Sequence, residues 1–181
     1  MRIFVAIMLP EALWRAAGEL QLALGCGRPV AEENLHLTLL FADEISEAQA
    51  QELHEALEAV HLPRFALELA GIEVMGAPER PEAVVLGVRT NPALEALQAK
   101  VAGAARRAGL ELPRRRFRPH VTLARFGSRF DAQSGARLGR LLQARGDVVL
   151  PAFEVRAFAM VQSHLHHDGP VYEVLAEYPC A

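Results

Sequence analysis

The tetrapeptide His36-Leu37-Thr38-Leu39 returns as His120-Val121-Thr122-Leu123, 84 positions later in a chain of 181 residues. Each copy lies in an apolar, strand-like run. Side chains of a strand point alternately to its two faces. His36 and Thr38 therefore share one face and Leu37 and Leu39 the other, and His120 and Thr122 stand in the same relation to Val121 and Leu123. Each motif strand has a polar front and an apolar back. One copy per half predicts an α+β, bilobal fold with pseudo-two-fold symmetry. Two antiparallel sheets are expected to line a central cleft, with helices packed on the outside. Residues 1–181 read as a single domain made of two similar lobes.

Outward from the first motif, residues 2–9 read as a buried strand. Pro10 opens a helix in which Leu13, Ala17, Leu20 and Leu24 recur at helical spacing until Gly25. Ser46 is expected to cap a second helix, which Pro63 prevents from continuing. Further strands are predicted at 64–75, 84–88, 148–158, 160–164 and 171–176. Further helices are predicted at 92–108 and 135–145.

Composition narrows the functional classes. A hydrophobic fraction of 51% supports a core. No apolar run approaches the roughly 20 residues of a membrane span, and the apolar N-terminal stretch is too short for a signal peptide. A cytoplasmic protein with no membrane association is expected. Cys26 and Cys180 form no Cys-x-x-Cys pattern and read as free thiols. The net charge of −3 is unevenly divided. Residues 1–90 hold 6 basic and 14 acidic residues, whereas residues 91–181 hold 13 and 8. Eight arginines fall between Arg106 and Arg129 against the single acid Glu111, around the second motif. A basic field of this kind favours a polyanionic partner.

Two histidines and two threonines on facing strands suit displacement at phosphorus. The attacking and leaving oxygens lie roughly in line, so the base and the acid belong on opposite sides of the phosphorus. Imidazoles, with an unperturbed pKa of about 6.5, can fill both roles near neutral pH. Threonine hydroxyls can donate to the non-bridging oxygens as charge builds. The scheme asks for no metal and no cofactor. His164, His166, His167 and Asp168 resemble a metal cluster, but they fall in a predicted hairpin turn and are expected to be solvent-exposed. The alternative function is a non-catalytic RNA- or nucleotide-binding module on the same fold.

The chain resembles the 2H phosphoesterase superfamily, and within it the bacterial and archaeal RNA 2',3'-cyclic phosphodiesterases, also called 2'-5' RNA ligases. Four stretches carry the resemblance: Arg2-Ile3-Phe4-Val5-Ala6-Ile7 with Leu9-Pro10; Glu33-Asn34-Leu35-His36-Leu37-Thr38-Leu39; Phe117-Arg118-Pro119-His120-Val121-Thr122-Leu123-Ala124-Arg125; and Gly169-Pro170-Val171-Tyr172-Glu173-Val174-Leu175. The resemblance implies metal-independent opening of a 2',3'-cyclic phosphate RNA end to a 2'-phosphate. It implies that His36 and His120 are the catalytic pair and that Thr38 and Thr122 hold the phosphate. His120 is taken as the base and His36 as the acid. Some relatives also join RNA ends through a 2'-5' bond. One departure stands out: a Phe-Leu-Gly-like turn usually follows the family's first motif, and here the chain reads Leu40-Phe41-Ala42-Asp43.

Arg118 and Arg125 flank the second motif and are candidates for binding substrate phosphate. By strand parity Arg118 shares the His120 face, and Arg125 falls on the opposite face unless the strand bends. Arg114, Arg115 and Arg116 read as an electrostatic funnel. Phe41, Phe126 and Tyr172 are candidates for stacking on a base. The expected partner is an RNA or oligonucleotide with a cyclic phosphate end, bound by a monomer with no obligate protein partner.

Overall fold

The apolar run after Met1 forms strand β1 (Arg2–Met8), buried on both faces, and helix α1 (Trp14–Leu24) follows. Between them Pro10 starts a short 3-10 turn over Glu11–Leu13, so the α-helix begins one turn later than predicted. Gly25 ends α1 in the left-handed conformation. The chain continues through β2 (Arg28–Pro29), the first motif strand β3 (His36–Glu44) and α2 (Glu47–Glu58). Ser46 caps α2 in a reciprocal capping box with Gln49. Then come β4 (Phe65–Leu67), β5 (Leu69–Ala77), β6 (Arg80–Val88), α3 (Pro92–Arg107) capped by Asn91, and the second motif strand β7 (His120–Arg125). The last elements are α4 (Ala132–Arg145), β8 (Phe153–Val155), β9 (Ala157–His166) and β10 (Gly169–Pro179). This computed structural model describes residues 1–113, 116–127, 130–166 and 169–181, with the His166 side chain left out.

Two predicted strands are divided. Residues 64–75 split into β4 and β5, because β4 leaves to pair with β8 in a separate two-stranded sheet. Residues 148–158 keep an isolated bridge at Val149, the short β8 and, at Ala157-Phe158, the start of β9. Pro151, which has no N–H to donate, lies between the bridge and β8.

The remaining strands form one eight-stranded sheet in the order β10-β9-β1-β3-β7-β6-β5, with β2 paired to β7. The two expected sheets are therefore two half-sheets joined at a seam between the motif strands. Among the described residues a single Cα register pair, Leu37↔Val121, marks that seam. The helices lie behind the sheet and are exchanged between halves. Helix α1 packs against β7 and α4, whereas α3 packs against β3 and α2. The back is the main core: Leu37, Leu39, Val121 and Leu123 are all buried there with the inner faces of the helices. A smaller cluster of Phe4, Ala6, Ala159 and Val161 lies on the front, beneath Met8 and Tyr172.

Candidate active site

Leu37↔Val121 acts as a pseudo-dyad between the motifs. Antiparallel geometry around it sets His36 beside Thr122 and Thr38 beside His120, all four on the front. Directly opposite Cβ atoms in such a pair are about 5 Å apart and diagonal neighbours about 7–8 Å apart. The two imidazoles occupy one diagonal and the two hydroxyls the other.

Each imidazole is oriented in the same way. Nδ1 of His36 lies 2.6 Å from the carbonyl of Asn34, and Nδ1 of His120 lies 2.7 Å from the carbonyl of Arg118. A carbonyl can only accept, so Nδ1 carries the proton and Nε2 is left as the working nitrogen. The chain before each motif provides the acceptor. A 3-10 turn, Glu32–Asn34, leads into His36, and Pro119 restricts Arg118 to extended backbone before His120.

The surroundings of the two rings differ. Phe4 lies 4.8 Å from His36 between ring centroids, and Tyr172 meets it edge-on at 5.3 Å. Burial among these rings pushes the His36 imidazole below its ordinary value. The bond to Asn34 opposes that shift, while the nearby positive charges of Arg125 and His120 add to it.

A cavity of about 160 Å³ opens on His36 and Thr122, bounded by Arg28, Arg125, Tyr172 and Gly169. Arg125 reaches it because the strand bends. Thr122 pairs with Val85 and Ala124 with Val84, which leaves Leu123 as an extra residue in β7. The bulge reverses the parity of everything after it and brings Arg125 to the front. Its carbonyl at Leu123 accepts from the Val30 N–H at 2.9 Å and from Gln21 Nε2 at 2.8 Å. The first motif has the matching bulge: Thr38 pairs with Ala6 and Leu40 with Val5, leaving Leu39 extra. Phe41 is therefore the pseudo-equivalent of Arg125. It too faces front, exposed, with its ring 5.8 Å from that of Phe4.

The other residues singled out in the sequence are placed as follows. Tyr172 lines the His36 cavity, whereas Arg118 lies on the His120 side, 3.2 Å from a carboxylate oxygen of Glu73. Phe126 does not join the pocket; it packs edge-on to Phe130 at 4.8 Å and against the core. His164 pairs with Glu173 across the β9–β10 hairpin at 2.9 Å. His167, Asp168, Arg114 and Arg115 lie outside the described residues. Cys26 and Cys180 are free thiols, the latter buried.

Two residues of the site escape sequence reasoning. Arg28 is the register partner of Arg125, both line the same cavity, and neither has an ion-pair partner among the described residues. Phe4 reads as a core residue and is one, but of the front cluster under His36. The only sequence signal for Arg28 is its place after the Gly25-Cys26-Gly27 turn.

A single continuous sheet that carries two back-anchored imidazoles and two hydroxyls on one face defines a two-histidine phosphoesterase. Residues 9–166 match the family model of the 2'-5' RNA ligase superfamily, and the chain belongs to that superfamily. A relative from Aeropyrum pernix, an RNA 2',3'-cyclic phosphodiesterase, is 35% identical over 155 residues, covering 85% of this chain and 86% of its own. A relative of the same name from Escherichia coli is 36% identical over 134 residues, covering 70% and 73%. The crystal structure of E. coli LigT complexed with 3'-AMP matches with a TM-score of 0.76 at 26% identity, over 99% of this chain and 96% of that one.

Proposed function

We propose that this chain is an RNA 2',3'-cyclic phosphodiesterase that opens the cyclic phosphate to a 2'-phosphate by paired-histidine acid–base catalysis, without a metal. The observation that carries the reading is the matched pair of imidazoles, each with Nδ1 tied to a carbonyl and Nε2 left over, on one face with two threonines. His120 Nε2 takes a proton from water as its oxygen attacks phosphorus. The bond from phosphorus to the ribose 3' oxygen breaks on the opposite side, and that oxygen receives the proton of His36. Thr38 and Thr122 donate to the non-bridging oxygens. Arg125, Arg28 and Arg118 supply positive charge to the phosphates, and Tyr172 and Phe41 offer faces to the base. The same displacement with a 5'-hydroxyl in place of water yields a 2'-5' bond. Both dyads come from one chain, so a monomer suffices. No helix among the described residues is long and apolar enough to cross a membrane, and the proposal places the enzyme in the cytoplasm.

The test uses an oligonucleotide ending in a 2',3'-cyclic phosphate. His36→Ala and His120→Ala should each lower hydrolysis by roughly 10²–10⁴-fold, the range of general acid–base catalysis, in proteins that remain folded by circular dichroism. EDTA should leave the wild-type rate unchanged. Full activity in either variant excludes the mechanism, and binding without turnover in the wild type would mark a non-catalytic RNA-binding module instead.

A further inference from the structure

We infer that the cavity on the far side of His120 is the docking site for a second RNA end, the one whose 5'-hydroxyl replaces water when a 2'-5' bond is formed. The inference rests on the reaction proposed above and adds to it the place of the second reactant. In-line displacement puts the nucleophile on one side of phosphorus and the leaving oxygen on the other. A cavity lies on each side of the motif pair. One opens on His36 and Thr122, and the other opens on His120 without reaching His36. With His36 protonating the 3' oxygen, the first cavity holds the ribose and base that carry the cyclic phosphate. The second then lies on the side from which the nucleophile comes.

The second cavity is far larger than hydrolysis needs. Its volume is about 330 Å³, whereas a water molecule takes up about 30 Å³ of the liquid. Its walls suit a nucleotide. Arg89, Arg116 and Arg118 bring three guanidiniums to its rim, and Met75, Val88 and Phe117 offer apolar faces. The carboxylates Glu73 and Glu95 also line it. Glu73 is engaged by Arg118 at 3.2 Å, and Arg89 by Glu68 at 2.7 Å. Exposed pairs of this kind contribute about 0–1 kcal/mol, so a phosphate diester can exchange into them. Arg116 has no ion-pair partner among the described residues. A nucleotide lying across Phe117 with its 3'-side phosphate on Arg116 and Arg89 presents its 5' oxygen toward His120. His120 Nε2 takes the hydroxyl proton, the bond from O5' to phosphorus forms, and the bond to O3' breaks. His36 protonates the departing oxygen, and no further reactant is consumed.

The test compares the wild type with an Arg89→Glu/Arg116→Glu double variant in two kinds of reaction. Hydrolysis of a nucleoside 2',3'-cyclic phosphate places nothing but water in the second cavity and should stay within about twofold of the wild type. Cleavage of a 2'-5' bond whose 5'-linked nucleotide carries a 3'-phosphodiester, and joining of a cyclic-phosphate end to a 5'-hydroxyl oligonucleotide, should fall by at least roughly tenfold, the loss expected of one charge-assisted phosphate contact. The hydrolysis rate doubles as the control for folding. Equal losses in both kinds of reaction by a variant that keeps the wild-type circular dichroism spectrum, or no loss in either, overturn the docking site. A wild type that hydrolyses the cyclic mononucleotide but neither makes nor breaks a 2'-5' bond overturns the docking site alone. A wild type that does neither overturns the phosphodiesterase reading itself.

Discussion

His36 and His120 are held alike and solvated differently, and that difference has a measurable consequence. Burial lowers the His36 pKa in the free protein, with the charges of Arg125 and His120 adding to the effect. A general acid works only while protonated, so kcat/KM, which reports the free enzyme, should fall on its alkaline side starting below the ordinary imidazole value of about 6.5. A bound phosphodiester brings a negative charge beside the ring and raises the pKa. The alkaline limb of kcat should therefore lie at higher pH than that of kcat/KM. Rate profiles from pH 4 to pH 9 check this, and coincident limbs would remove His36 from the acid role. A second residue-scale feature explains the departure after the first motif. Asp43 has φ +58°, the only positive value among described non-glycine residues. It stands where the Phe-Leu-Gly-like turn has its glycine, and aspartate is among the side chains that tolerate this region. A left-handed backbone is thus adopted here without a glycine. Asp43 also lies 3.9 Å from exposed Arg2, a contact of small worth. Asp43→Gly should accordingly raise stability by about 0.5–1 kcal/mol, read as a higher midpoint in urea unfolding; a loss of that size would show that the pair with Arg2 matters more than the backbone.

At the scale of elements, the bulges decide what strand alternation alone leaves undecided. His-x-Thr-Leu is legible as a two-faced strand because the period of two holds through those four residues. The alternation then breaks at Leu39-Leu40 and at Leu123-Ala124, where two neighbouring residues are both buried. Adjacent apolar residues in a sequence read equally well as the end of a strand or as a change of register, so the return of Arg125 to the front is not legible. The division of residues 64–75 is hidden for a similar reason, because it depends on pairing with β8 almost ninety positions away. Strand β2, only two residues long, has no periodicity to read, and Arg28 is missed with it. The bulge brings Arg125 into the lining of the His36 cavity together with its neighbour Arg28. Arg125→Ala should cost about 1.5–3 kcal/mol in kcat/KM on a cyclic-phosphate oligonucleotide, a factor of roughly 10–150. Arg28→Ala should weaken kcat/KM in the same sense, chiefly through KM. An Arg125→Ala variant with wild-type kinetics would mean that the guanidinium faces the pocket without using it.

Across the whole molecule, the front face is divided in character. The half containing β1, β9 and β10 presents Phe41, Leu165, Tyr172 and Val174, and the half containing β7 and β2 presents Arg28, Arg118 and Arg125. The arginine cluster around the second motif foreshadows Arg118 and Arg125 on one side of this division, while Arg28 comes from the acidic half of the sequence. The merging of two sheets into one is not foreshadowed, since the seam at Leu37↔Val121 is a tertiary pairing between two strands that each look complete. Nor is the exchange of helices, which no local signal encodes. That exchange makes the two halves of the polypeptide mutually dependent for folding. A cut in the loop between α2 and β4 leaves residues 1–62 without the α3 that covers β3, and residues 63–181 without the α1 that covers β7. Expressed singly, each fragment should be unfolded and inert; mixed in equal amounts, the two should reassemble and regain cyclic-phosphate hydrolysis, as fragment complementation would reveal. The arrangement has the form of two protomers that have traded a helix, with the tether supplying within one polypeptide the encounter that separate chains would owe to their concentration.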